Sequence, residues 1–244
     1  KRILQELCKL SIDWDEIIPQ EYEVRWQKWK AELSSLSQFV MPRCIKPVNF
    51  GTVTCRQLHH FSDASLKGYG QVSYIRMINE NGEIHCAFVI GKARVTPTKV
   101  ITVPRLELVA ATTSVRVAKM LKNELDETVD SHFYWTDSET VLRYIRNESK
   151  RFQIFVANRV QMIQDNTELH QWHHVQGFLN PADDASRGLS SEQLLNHSRW
   201  IRGPEFLWYP ESQWPKASFG DELPVDDPEI RKVLVSATKV EVNH

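Results

Sequence analysis

Between Arg56 and Val95 the sequence reads as three strands in succession, and that run limits the possible folds more than any other feature. The strand-rich stretches are 57–62, 70–78 and 84–95, with the polar turn Asn79-Glu80-Asn81-Gly82 dividing the last two. A short turn with an Asn-Gly step between β-rich runs signals a hairpin, so three antiparallel strands are expected. A long helix follows. Pro104 suits its first turn, and Leu106, Val109, Ala110, Val117, Met120 and Leu121 supply one apolar face. The run 132–136 (HFYWT) reads as a short buried strand ending at Asp137, with helical patterns over 138–146 and 152–165. The run 171–175 (QWHHV) makes a last strand, and Asp183 opens a short helix. The order is β-β-β-α-β-α-α-β-α, an α/β chain with neither an internal repeat nor a low-complexity segment.

The 244 residues suffice for one ordinary domain with an appendage, or for two small domains. Before the strands, Trp26, Trp29, Leu33, Leu36 and Val40 recur at spacings of three and four, the stripe of an amphipathic helix bracketed by Pro19 and Pro42. Pro47, Asn49 and Gly51 mark a linker, and from about Lys216 a Pro- and Asp-containing stretch reads as loosely held. The chain opens on Lys1 rather than Met, as expected of a processed or excised piece. No apolar run approaches the roughly 18 residues needed to cross a bilayer, so no membrane partner is expected. Cys8, Cys44, Cys55 and Cys86 form no CxxC pair and suit buried thiols in a reducing compartment. The net charge of −1 argues against tight metal-free binding of nucleic acid, because phosphate neutralisation drives such binding. It says little about binding that depends on metal, since divalent cations held by carboxylates supply the missing positive charge.

Four acids stand where this layout makes them conspicuous. Asp63 ends the first strand, Glu107 lies one turn into the long helix, Asp137 ends the fourth strand and Asp183 opens the last helix. Taken singly, each has an ordinary structural role: Asp63 and Asp137 as turn or cap residues, Glu107 as a complement to the helix dipole, Asp183 with Asp184 as a cap. Taken together, strand-end acids sit at a sheet edge, and two helix acids can converge on the same spot. Clustered carboxylates repel unless cations neutralise them. Oxygen-only ligands favour Mg²⁺ or Mn²⁺, and two such ions about 4 Å apart are the usual device for in-line attack on a phosphodiester.

The motifs FSDAS, PRLEL, TDSETVLRYI and HHVQGFLNPADDASRG resemble the ribonuclease H domain of retroelement reverse transcriptases. The VPRLEL form and the downstream WIRGPEFL look like the BEL/Pao class of LTR retrotransposons. The resemblance covers about 55–190 at motif level, and more weakly 1–50 and 198–215. It implies a ribonuclease H-like fold: a mixed five-stranded sheet, three antiparallel strands then two parallel, flanked by helices, with an N-terminal helical extension. It also implies three parts: a helical connection from the polymerase side over 1–50, a catalytic domain over 51–200, and a tail toward the next polyprotein segment over 201–244. The activity implied is two-metal hydrolysis of the RNA strand of an RNA/DNA hybrid. Two Mg²⁺ ions, replaceable by Mn²⁺, would be held by Asp63, Glu107, Asp137 and Asp183.

Asp183 rather than Asp184 follows the alanine of the family's A-D-x-x-S-R pattern. His174 matches the family's mobile histidine, for proton handling or product release; packing under a loop is the other reading. His170 and His173 lack the Cys or second His pair that zinc requires. Ala64 and Ser65 are small enough for a phosphate to approach. Arg143, Arg146, Lys150 and Arg151 either grip DNA-strand phosphates or are solvated surface charge. Asn180 and Arg187 either touch phosphate or, for Arg187, brace the last helix. Trp135 and Trp172 read as core. The implied partners are the hybrid and the rest of the polyprotein, polymerase upstream and integrase downstream, in a cytoplasmic retroelement particle. An integrase or transposase needs a late helical glutamate, and HQWHH occupies that place. A catalytically silent connector or a domesticated nucleic-acid-binding module is the remaining alternative.

Overall fold

The computed structural model describes residues 1–125, 128–196, 198–220, 222–224 and 226–232. Three long strands, β1 (Val53–Ala64), β2 (Gly68–Asn79) and β3 (Ile84–Val95), form an antiparallel meander. The turn between β2 and β3 is fixed as its sequence suggests: the Asn79 side chain accepts from the backbone of Asn81 and Glu83, and Gly82 adopts φ +78°. Two short strands, β4 (Ser131–Thr136) and β5 (Trp172–His174), add in parallel to the other side of β1. The sheet order is β3-β2-β1-β4-β5, the mixed five-stranded arrangement expected from the sequence.

Helix α3 (Val103–Glu124) crosses one face of the sheet. Its Leu108, Ala111, Val115 and Ala118 pack with Tyr134, Trp172 and residues of α4 (Glu139–Arg146) and α5 (Ile154–Gln164). The opposite face is covered from an unexpected quarter. Phe206, Leu207 and Trp214 lie in one buried cluster with Phe61, Val72, Tyr74 and Trp135. The stretch from 201, expected as a tail, thus contributes core. Covered on both sides, β1 is buried at every position from Gln57 to Ala64 and shows no alternation.

Arg76 fastens that second layer. It is fully buried on β2, and its guanidinium donates to the carbonyls of Leu207 (2.7 Å) and Tyr209 (3.0 Å) and to Gln57 (2.8 Å). Further on, the stretch expected to be loosely held is mostly exposed but anchored at points: Leu223 and Glu229 are buried, and Ile230 bridges to Phe152. Residues 233–244 of the expected tail lie outside the described residues.

At the other end, α1 (Arg2–Lys9) and α2 (Gln20–Leu33) bury none of their residues. The apolar stripe predicted there exists but is largely uncovered, with Trp26 38% and Trp29 46% exposed and their rings 4.9 Å apart. The helix also stops at Leu33, leaving Leu36 in a 3₁₀ turn and Val40 beyond it. The cysteines are likewise more exposed than expected. All four are free; Cys86 is buried, Cys55 is half-buried, and Cys8 and Cys44 are exposed.

Candidate active site

The parallel pairing of β1 with β4 sets the site. Ser62 lies opposite Thr136, so Asp63 and Asp137 leave adjacent strands at the same edge of the sheet. His174 ends β5 opposite Thr136, on the other side of β4. Helix α6 (Ala182–Arg187) is brought against β1 and β2 by two glycines. A Cβ at Gly70 would lie 2.5 Å from the Ala185 Cβ, and one at Gly68 would lie 2.8 Å from the Ser186 carbonyl oxygen. Only glycine permits this approach, and Gly70 pairs with Asp63 across the β1–β2 ladder. Asp183 and Ser186 are thereby delivered to the β1 end.

The electrostatics record how close the acids are. Burial pushes the Asp63 carboxyl up to about 7, and the neighbouring charges of Asp137, Asp183 and Glu107 add to the rise. Glu107 is also raised, by burial and then by Asp137, against the opposing hydrogen bond from Ser138. Asp137 is raised mainly by burial, with Asp183 adding to it, while Asn180 and His174 act in the opposite direction.

Each carboxylate also has a local donor. Ser186 donates its hydroxyl to Asp63, and Ser138, the N-cap of α4, donates to Glu107 while accepting from the Val141 amide. Arg187 pairs with Asp183 one turn away. Asn180 donates to the Ser62 carbonyl at 3.0 Å and to Asp137 at 3.3 Å, with its own oxygen accepting from the Ala182 amide. As they stand, no three His, Cys, Asp or Glu side chains among the described residues are grouped tightly enough to hold one metal ion.

The donor set nonetheless suits a hard divalent cation. It consists of carboxylate oxygens with no sulfur, and three of the acids carry a charge penalty that a cation would relieve. Asp184 is turned elsewhere, in a 2.6 Å ion pair with Arg199 that is nearly buried on the carboxylate side.

The expected substrate contacts divide. Ala64 is buried against Leu106 and Ala110. The Ser65 hydroxyl is spent on the carbonyls of Gly68 and Ser186, bracing α6. Asn180 is fully buried and serves as a clamp between β1 and Asp137. Arg187 is mostly exposed but paired with Asp183. Arg143 is held by Glu139, by the Gly220 carbonyl and over the Phe219 ring. His174 faces that same ring edge-on at 5.1 Å. Trp135 and Trp172 are core, as expected. His173 is half-buried, with burial lowering its pKa to about 4.

Sequence reasoning missed Ser186, Ser138 and the glycines. Signals for them exist: serines three after Asp183 and directly after Asp137, and the GYG that opens β2.

A β-meander extended by two parallel strands, with acids at the shared ends of β1 and β4, defines a ribonuclease H-like protein. The chain belongs to the Pao retrotransposon-like RNaseH-like domain family, which matches residues 1–138. That match takes in the N-terminal helices, Asp63, Glu107 and Asp137, and stops before His174 and Asp183. Among solved structures, the chain is similar to ribonuclease H1 of Halobacterium salinarum, at 13% identity over 59% of this chain and 98% of that one, with a TM-score of 0.34. It is also similar to the N-terminal ribonuclease H domain of Rv2228c from Mycobacterium tuberculosis, at 12% identity over 57% and 97%, with a TM-score of 0.38. A third is LC11 ribonuclease H1 in complex with an RNA/DNA hybrid, at 12% identity over 57% and 99%, with a TM-score of 0.32. No curated protein matches the chain.

Proposed function

We propose that the chain hydrolyses the RNA strand of RNA/DNA hybrids, as the ribonuclease H part of a retroelement reverse transcriptase. The observation that carries this is the convergence of a buried Asp63 with the half-buried Glu107 of α3 and Asp137 at one end of the sheet, within range of each other's charge and of Asp183. Such a concentration of carboxylate costs stability unless a ligand repays it. Asp63, Glu107, Asp137 and Asp183 would hold two Mg²⁺ ions, with Mn²⁺ able to substitute. The chemistry such a pair supplies is activation of water and stabilisation of the leaving oxygen.

The chain's own residues supply placement. Asn180 fixes Asp137 to β1, Ser186 fixes Asp63 to α6, and Ser138 ties Glu107 to the start of α4. His174 stands beside Asp137 and is suited to carry a proton or to assist product departure. Residues 1–50 would then lead from the polymerase, and the chain beyond 201 toward an integrase, within a retroelement particle. Among the described residues no helix is long and apolar enough to cross a membrane.

A silent connector is the second reading. The observation favouring it is that the acids are engaged by Ser186, Ser138 and Arg187 rather than drawn into one three-ligand group. Incubation with an RNA/DNA hybrid and Mg²⁺ separates the two. Cut RNA from the unmutated chain, and none from Asp137→Asn with an unchanged fold, is the expected outcome. An uncut hybrid with intact protein would defeat the enzymatic reading.

A further inference from the structure

The segment 219–231 contains five acids, Asp221, Glu222, Asp226, Asp227 and Glu229, against the single Arg231. Its described residues run beside the candidate site and spend themselves on cations. Glu229, nearly buried, takes both Arg105 donors at 2.6 and 2.9 Å, and Arg105 lies two residues before Glu107. The Gly220 carbonyl accepts from Arg143 at 3.1 Å, and the Leu223 carbonyl accepts from Lys150 at 3.2 Å. Phe219 packs against both Arg143 and His174. Asp227 accepts from the Tyr144 hydroxyl, and Glu229 is further fixed by its carbonyl on the Gln153 amide.

Arg105, Arg143 and Lys150 thus each meet the same segment. Arg105 and Arg159 both lie over the Phe155 ring, 5.1 and 3.5 Å from its centre. Burial first, and then the nearby charges of Arg116 and Arg105, lower the Arg159 pKa. A two-pronged arginine–carboxylate fork has the geometry of an arginine–phosphate fork. The Leu223 carbonyl on Lys150, and the Gly220 carbonyl that Arg143 holds beside its Glu139 pair, are weaker partners than phosphate oxygens would be.

We propose that Arg105, Arg143 and Lys150 form a binding face for the phosphodiester backbone of the substrate duplex, and that the described residues of the acidic segment (219–220, 222–224 and 226–231) occupy it as an internal competitor. Nucleic acid and the segment then exclude each other from the same cations, and the free chain holds its own phosphate mimic. This rests on the proposed hydrolysis of a hybrid only for the identity of the duplex; the face itself is defined by its charges.

The test measures binding of a fluorescent RNA/DNA hybrid by anisotropy over a range of salt, in the Asp137→Asn background so that the hybrid is not consumed. Glu229→Gln unmasks Arg105. It should bind about fivefold more tightly at low salt, with a salt slope steeper by about one, the value for one added phosphate contact. Arg105→Gln combined with Glu229→Gln should lose that gain. Phe219→Ala, which loosens the segment from Arg143 without touching a charge, should also tighten binding. It keeps the test decisive if Glu229→Gln fails to fold. Unchanged affinity and slope in both single variants, or a gain that survives in the double variant, would overturn the assignment. Hybrid cleavage by the unmutated chain in Mg²⁺ is scored in parallel. Absent cleavage with the binding shift intact defeats the nuclease reading alone, and cleavage without the shift defeats the masked face alone.

Discussion

Replacing Gly70 by alanine should leave the sheet standing and disable the site. The added Cβ would meet the Ala185 Cβ at 2.5 Å, its carbonyl carbon at 3.3 Å and the Lys92 carbonyl oxygen at 3.0 Å. A normal carbon–carbon contact is about 3.5–4.0 Å, so something must retreat by about an ångström. Lys92 belongs to the β2–β3 ladder and is held there by pairing with Gln71. Helix α6 is only six residues long, so it is the part that yields. Overpacking of this kind costs about 1–3 kcal/mol, which a domain with two buried layers survives with a modest loss of melting temperature. The functional loss should be larger, because misplacing a catalytic group by about 1 Å costs about 100-fold in rate. Hybrid cleavage and thermal melting, measured on the same preparation, check the expectation. Near-normal turnover with a near-normal melt would show that the position of Asp183 does not matter to the chemistry.

Three further outcomes follow from the packing. Arg76→Ala should destabilise by about 2–4 kcal/mol, because it leaves the Leu207 carbonyl and the buried Gln57 side chain without their charged donor, removes one of two donors from the Tyr209 carbonyl and unfastens the second layer; chemical denaturation reads this, and a loss below about 1 kcal/mol would refute the clamp. His174→Ala should slow hybrid cleavage without abolishing it, and an unchanged rate would reduce that residue to a packing role against Phe219. His60 is fully buried between Ser73 and His132, and burial then the His132 charge hold its pKa well below 6.5. The unfolded chain therefore takes up this proton first as pH falls below about 6.5, so the stability tied to neutral His60 is present above that pH and lost below it. Asp63, Glu107 and Asp137, whose pKa values are raised, titrate with the opposite sign. The histidine share is isolated by comparison with His60→Gln: the melting-temperature gap between the two proteins should narrow from pH 7.5 to 5, and a constant gap would contradict it.

How far the sequence alone reveals the molecule depends on whether a residue's role leaves a local pattern. The meander did so through its Asn-Gly turn and β-rich runs, and α3 through its periodic apolar face. The second layer left none. Phe206, Leu207 and Trp214 sit in short 3₁₀ turns or beside them, too brief to show a period, and Arg76 is a charged residue in a strand that turns out to be fully buried. The N-terminal stripe gave the opposite error. Its spacing is helical, but the main neighbours of α2 among the described elements are α1, the following turn and α7 (Ser191–Asn196), and the tryptophans stay largely uncovered.

At the candidate site the acids stand out because each ends or opens an element. What holds them is less visible. Ser186, Ser138 and Asn180 act through single hydrogen bonds between distant segments, and Gly70 acts through the side chain it lacks. Arg143 illustrates the limit from the other side: its i,i+4 pair with Glu139 on α4 is legible in the sequence, while its further partners lie about 80 residues away at Phe219 and Gly220.

Whether Asp63, Glu107, Asp137 and Asp183 act as one ligand set is most directly tested by counting the ions they bind. Crystals soaked in Mn²⁺ and measured for anomalous scattering should show two sites, each bounded by carboxylates of this group, with occupancy lost in Asp137→Asn. Mn²⁺ found only elsewhere on the surface, or absent at soaking concentrations that saturate ordinary carboxylate sites, would contradict a shared metal centre.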